Sequence, residues 1–303
     1  MEIIEITKLR KLYGKQVAVD DVSFAVEEGE IFGVVGRNGA GKTTTVECVS
    51  GLRTPDGGTI TVTGLDPRRD RAELRRRVGV QLQDCSLPDK LKVWEALDLY
   101  ASFYDRPADW RKLLDEVGLG QKRDTTFAKL SGGQRQRLSI ALALVGAPRV
   151  AILDELTTGL DPQARRETWD LIELVRSRGV TIVLVTHFME EAERLCDRVA
   201  VIDGGRVAAI DSPAGLIARV EGGQRVSFRG PPGADRILRS VPEVEGVTRN
   251  GDTVTVTGSE NLLLAVTTAL AANQIVPTGL QMERATLDDA FLTLTGRPVT
   301  DAS

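Results

Sequence analysis

A chain of 303 residues, 42% hydrophobic and 27% charged, has the composition of a soluble globular protein and room for one large domain plus a small one. Its net charge of −4 argues against a nucleic-acid partner, whose binding surface is normally basic, so none is expected. No apolar run approaches the ~20 residues of a membrane span, and Met1 to Glu5 lacks the basic-then-apolar layout of a signal peptide, so a membrane role would require a second polypeptide.

In chain order, strands are predicted at Glu2–Ile6 and Val17–Val26 from β-like alternation, then at the apolar run Ile31–Val35. A helix is expected over Thr43–Val49, a turn at Thr54-Pro55-Asp56-Gly57-Gly58, and a strand at Thr59–Thr63. From about Leu87 to Leu130 the pattern is helical. Strands return at Val150–Leu153, Thr181–Thr186 and Arg198–Ile202, with helices between them. Such alternation implies an α/β core with a mainly parallel sheet, the helical stretch being an insertion at its side. Composition shifts near Val220 to Gln224. Beyond it lie a strand at Asp252–Thr257, a helix at Asn261–Ala272, and a helix opened by a capping-box-like start at Thr286. The expected organisation is a nucleotide-binding domain over 1–220 and a small α+β domain over 221–303. Cys48, Cys85 and Cys196 lie far apart, with neither metal spacing nor a disulfide framework.

The chemistry begins at Gly36-Arg37-Asn38-Gly39-Ala40-Gly41-Lys42-Thr43-Thr44, which matches G-x-x-x-x-G-K-[ST] between a buried strand and a helix. Glycines let successive N–H groups turn inward toward an anion, and the helix N-terminus adds roughly half a positive charge there. Lys42 would reach the β- and γ-phosphates, and the Thr43 hydroxyl would ligate Mg²⁺. The segment predicts nucleoside triphosphate binding by Gly36, Asn38, Gly39, Ala40, Gly41, Lys42, Thr43 and Thr44.

Leu130-Ser131-Gly132-Gly133-Gln134 opens another helix and forms a second anion cradle; two cradles make sense if two subunits face each other head to tail. Val150 to Asp154 is an apolar strand ending in two carboxylates. Asp154 would hold Mg²⁺, and Glu155 would polarise the attacking water. His187, the chain's one histidine, ends the strand Val183–Thr186 and is a candidate γ-phosphate contact. Gln83 could touch Mg²⁺ or water and sense the γ-phosphate, with Gln81 as its rival. The run Arg68 to Arg77 reads as a solvated helix face.

With these segments in this order, the chain resembles the ATP-binding subunits of ABC transporters over residues 1 to about 220. Gly36–Thr43 matches the family's Walker A motif, Gln83 the Q-loop, Leu130–Gln134 the signature, Val150–Asp154 Walker B, and Glu155 the catalytic glutamate. Leu160-Asp161 matches the D-loop, His187 the switch histidine, and Tyr13 the aromatic that stacks on adenine. The resemblance implies an α/β P-loop NTPase core with a mainly parallel sheet, an antiparallel β subdomain and a helical insertion. It also implies ATP and Mg²⁺ as ligands, a homodimer in the ATP-bound state with Asp161 and Ser131–Gln134 at the nucleotide, and a separate multi-span permease. The chain would then lie on the cytoplasmic face of the membrane. One departure is Leu156, where the family usually has proline. The tail Thr286 to Arg297 resembles that of daunorubicin/doxorubicin-resistance export ATPases, which implies export of a hydrophobic compound. The alternative is a non-transport member of the family acting on ribosomes or DNA.

Overall fold

The computed structural model describes residues 1–82, 86–220, 224–258 and 261–296, with the backbone alone at 283 and 284. Gln83 therefore lies outside the described residues. The chain divides into two compact units, the first being Met1–Pro213 and the second starting at Ala214.

The first unit opens with a long hairpin, β1 (Glu2–Tyr13) and β2 (Gln16–Glu27), followed by the P-loop strand β3 (Ile31–Val35) and helix α1 (Lys42–Val49). Strand β4 (Gly57–Val62) returns to pair with β1, giving an antiparallel sheet of order β2-β1-β4. β1 runs well beyond the predicted Ile6, because bulges at Ile6/Leu9 and beyond reset its alternation. Helix α2 (Arg71–Arg77) buries Leu74 alone, and its arginines pair with Glu73 and Asp105, as a solvated face should. After β5 (Val78–Gln81), helices α3 (Val93–Ala101), α4 (Trp110–Glu116) and α5 (Gly132–Leu144) form the helical insertion, so α5 extends it past the predicted Leu130. The core then resumes with β6 (Val150–Asp154), α6 (Pro162–Ser177), β7 (Thr181–Thr186), α7 (Met189–Leu195), β8 (Arg198–Asp203) and β9 (Arg206–Asp211).

Six strands form the second sheet in the order β5-β6-β7-β3-β8-β9, parallel except for β9. Strands β3, β6 and β7 are buried at every residue, which is why they read as unbroken apolar runs rather than alternation. Val46, Cys48 and Val49 of α1 join Ile4, Val26, Val34, Ile152 and Val185 in one core that holds both sheets together. Parallel register sets Val35 beside Thr186 and Asp154 beside Val185. The residues that follow, Gly36, Glu155 and His187, thus share one sheet edge, where α/β folds place their ligands.

In the second unit, helix α8 (Pro213–Ile217) crosses the division, and β10 (Gln224–Arg229), α9 (Ala234–Leu238), β11 (Val244–Asn250), β12 (Thr253–Gly258), α10 (Leu262–Ala272) and β13 (Thr278–Arg284) follow. The sheet order β11-β12-β10-β13, antiparallel throughout, makes this βαββαβ run a ferredoxin-like fold. Val226, Phe228, Val254 and Val256 face Leu262, Val266 and Leu270 across its core. The last helix, α11 (Leu287–Thr295), starts with the predicted capping box, Thr286 against Asp289.

Candidate nucleotide site

Gly41 takes φ +100° at the N-cap of α1, and a Cβ there would stand 2.4 Å from the Ala18 carbonyl oxygen. Only glycine fits both constraints. A cleft of about 420 Å³ opens at this turn, lined by Asn38, Gly39, Gly41, Lys42, Thr43 and Thr44 on one side, Tyr13, Gln16 and Ala18 on another, and Glu155. Gly36 and Ala40 are buried behind it, the Ala40 carbonyl accepting from the Gly205 N–H at 3.0 Å. Tyr13 is 41% exposed at the cleft, with the Arg53 guanidinium 5.3 Å and the Lys11 ammonium 5.7 Å from its ring centre.

Lys42 is almost fully buried. Its Nζ donates to the Gly36 and Arg37 carbonyls at 2.8 and 3.0 Å and stands 4.0 Å from Glu155 Oε1. Burial lowers its pKa, and the nearby Glu155 and Asp154 partly restore it. Glu155 Oε1 also meets His187 Nδ1 at 3.1 Å. One carboxylate oxygen therefore lies between the P-loop lysine and the histidine. Glu155 takes a left-handed φ of +50°, a strained choice for a side-chain-bearing residue that costs on the order of 1–3 kcal/mol. Its N–H donates to the Val185 carbonyl at 2.8 Å, and Leu156 is buried in the place usually held by proline. Hydrogen bonds and packing thus hold this turn without the proline ring.

Asp154 is fully buried, and neither carboxylate oxygen accepts a hydrogen bond of good geometry. Burial drives its pKa up to about 6; the Thr43 hydroxyl opposes this, repulsion from Glu155 adds to it, and Lys42 counters. An orphaned buried carboxylate beside a threonine hydroxyl is a donor set suited to a hard divalent cation. The folded pKa lies above the unfolded one, so only the folded state holds this proton between about pH 4 and 6. The resulting penalty, roughly 3 kcal/mol, is absent below that window and complete above it, so this group's contribution to stability falls as pH rises. Asp154→Asn is therefore expected to raise the melting temperature of the nucleotide-free protein at pH 7.5 by about 5 °C. That gain should shrink by pH 5, and thermal scans of both proteins check it; a lowered melting temperature at pH 7.5 would contradict this account.

Gln81, the rival for the sensor role, is buried in the sheet, where its Oε1 accepts the Asp154 N–H at 3.1 Å. It fastens one strand end to the next. Ser131 to Gln134 and Asp161 do not line the cleft. Ser131 caps α5 reciprocally with Gln134, at 3.0 and 3.3 Å. Asp161 caps α6 through the Gln163 and Ala164 N–H groups at 3.0 and 2.9 Å. A Cβ on Gly133 would meet Ala164 at 3.2 Å, so both exposed helix N-termini lie side by side. These two helix N-termini are thus separate from the P-loop cleft within the chain.

A family model described as ABC transporter matches residues 19–158. The Nod factor export ATP-binding protein I of Ralstonia nicotianae is 40% identical, over 99% of this chain and 95% of its own. Its namesake from Paraburkholderia xenovorans is also 40% identical, over 98% of both chains. The chain belongs to the ATP-binding subunits of ABC transporters. A solved dimeric ATP-binding cassette bound to ADP and phosphate, in a post-hydrolysis state, is 25% identical with a TM-score of 0.63, over 69% of this chain and 98% of that one. As an ABC ATPase it binds and hydrolyses ATP. The match of the two export proteins spans both units, and their names specify export without specifying a drug.

Proposed function

We propose that this ABC ATPase powers a separate membrane permease that exports a hydrophobic compound, a drug, an antibiotic or a lipid-like molecule. Full-length similarity to export subunits supports the direction, and disfavours the ribosome- or DNA-acting alternative. Among the described residues no helix is long and apolar enough to cross a membrane, so the path for cargo belongs to another chain. We place the subunit on the cytoplasmic face, where ATP is.

The observation that carries the mechanism is Glu155 Oε1, held between Lys42 and His187 at the mouth of the cleft. Glu155 orients and deprotonates the attacking water, Lys42 neutralises the γ-phosphate, and His187 hydrogen-bonds to it while fixing Glu155. Thr43 and Asp154 would hold Mg²⁺, which when bound would supply positive charge to offset that of the phosphates. Gln83 is assigned as the sensor of that region. Tyr13 stacks on adenine. The second half-site, Ser131 to Gln134 with Asp161, closes on the triphosphate of a partner copy, so a head-to-tail homodimer completes both sites. Binding draws the two copies together, and cleavage of the γ-phosphate releases them, moving the permease.

Co-purification from native membranes tests the transport reading, using tagged Glu155→Gln chain with Mg·ATP throughout. Recovery of a multi-span membrane protein is expected. Recovery of ribosomes or DNA instead would overturn it.

A further inference from the structure

Glu191 of α7 is a carboxylate with no access to solvent, and nothing in the mechanism above uses it. Its Oε1 accepts the indole N–H of Trp169, from α6, at 3.0 Å. Its Oε2 is buried without a hydrogen bond of good geometry, and so is the Thr157 hydroxyl, on the turn that follows Glu155. The hydroxyls of Thr157 and Thr186 both lie close enough to offset part of the upward pKa shift that burial imposes on Glu191. Thr186 immediately precedes His187, and its Oγ1 accepts the Phe188 N–H at 3.0 Å. Arg165 of α6, whose buried Nε also lacks a partner, lies 4.7 Å over the Phe188 ring and adds attraction.

A buried carboxylate without such partners is strongly penalised by desolvation, and an apolar residue would fill the same space without that penalty. The polar groups gathered around Glu191 come from three places: the turn carrying Glu155, the strand end carrying His187, and the helix capped by Asp161, whose Trp169 makes the formed hydrogen bond. Each is a backbone segment that sets the position of a site residue. The unmatched pair, Glu191 Oε2 and Thr157 Oγ1, lets a small movement of the Glu155 turn make or break one buried hydrogen bond.

We propose that Glu191 is a positioning residue, a buried hydrogen-bonding hub that locks the Glu155 turn to the His187 strand end in hydrolytic register. It touches neither nucleotide nor water and acts through Thr157 and Thr186. The proposal rests on the assignment of Glu155 and His187 to the γ-phosphate.

The test measures ATP turnover, ATP affinity and melting temperature for Glu191→Met, Glu191→Gln, Thr157→Val and the Glu191→Met/Thr157→Val pair, beside the unaltered chain. Methionine matches the shape without hydrogen bonds, glutamine keeps an acceptor for Trp169 and a donor for Thr157, and valine removes only the hydroxyl. A slight misplacement of a catalytic group is enough to lower kcat by about tenfold or more, so Glu191→Met and Thr157→Val should each lose that much with KM for ATP within about twofold. Glu191→Gln should regain most of the loss. Within the pair the second substitution should add little, because both break one connection. Unchanged kcat in Thr157→Val, a loss shared equally by kcat and ATP affinity, or multiplying losses in the pair would each overturn the proposal. If Glu191→Met does not fold, Thr157→Val and Glu191→Gln still decide. An unaltered chain without turnover would instead count against the assignment of the site itself.

Discussion

Glu155→Gln is expected to lower ATP turnover by about 10²–10⁴-fold, the range associated with loss of a general base, while leaving Mg·ATP binding near normal. The amide keeps the size of the side chain and a contact to His187 Nδ1, now 3.1 Å from the carboxylate oxygen, but cannot take a proton from water. The left-handed backbone at 155 is untouched, since the Val185 bond and buried Leu156 set it. Because γ-phosphate persists in the variant, dimers should accumulate with ATP, visible by size-exclusion chromatography. Turnover near that of the unaltered chain would remove Glu155 from its assigned role.

Lys42→Ala should weaken ATP binding by about two orders of magnitude or more, as expected when one partner of a buried charge pair is truncated. Two losses combine. The phosphates lose their point charge, and the carboxylates of Asp154 and Glu155 lose a buried cation that both attract. Lys42 also donates to the Gly36 and Arg37 carbonyls, so the P-loop itself should loosen. Calorimetric titration with ATP measures the change, and affinity within threefold of the unaltered chain would contradict it. Loss of binding here and loss of turnover alone at Glu155 separate recognition from chemistry.

Most of the site is legible in the residues. A glycine-bounded lysine between an apolar strand and a helix has few physical readings, and two carboxylates ending a buried strand have few more. Parallel pairing, which brings Gly36, Glu155 and His187 to one edge, follows from alternating strands and helices. What stays hidden depends on contacts distant in sequence. In the continuation of β1 from Thr7 to Tyr13, Lys8, Arg10 and Lys11 surround the buried Leu9 and mask the strand's alternation, although this stretch carries Tyr13 to the cleft. Strands β10, β11 and β13 are short and mixed, and only their pairing reveals the ferredoxin-like order. Gln81 and Gln83 are indistinguishable as letters, and burial of the first settles its structural part. Glu191 sits in Met-Glu-Glu-Ala-Glu, which reads as a solvated helix face until Trp169, 22 positions away, is seen to donate to it.

The central claim is that each hydrolytic site is shared, the P-loop, Glu155 and His187 coming from one copy and Ser131 to Gln134 from the other. Mixing two inactive chains tests it most directly. Ser131→Arg removes the second half-site and keeps Glu155, whereas Glu155→Gln does the reverse. If sites are shared, each heterodimer holds one site with both halves intact, and an equimolar mixture should recover up to about a quarter of normal turnover per chain. A mixture that stays as inactive as its two components, despite forming dimers, would contradict the shared site, and a Ser131→Arg chain with normal turnover by itself would confine catalysis to the cleft of a single chain.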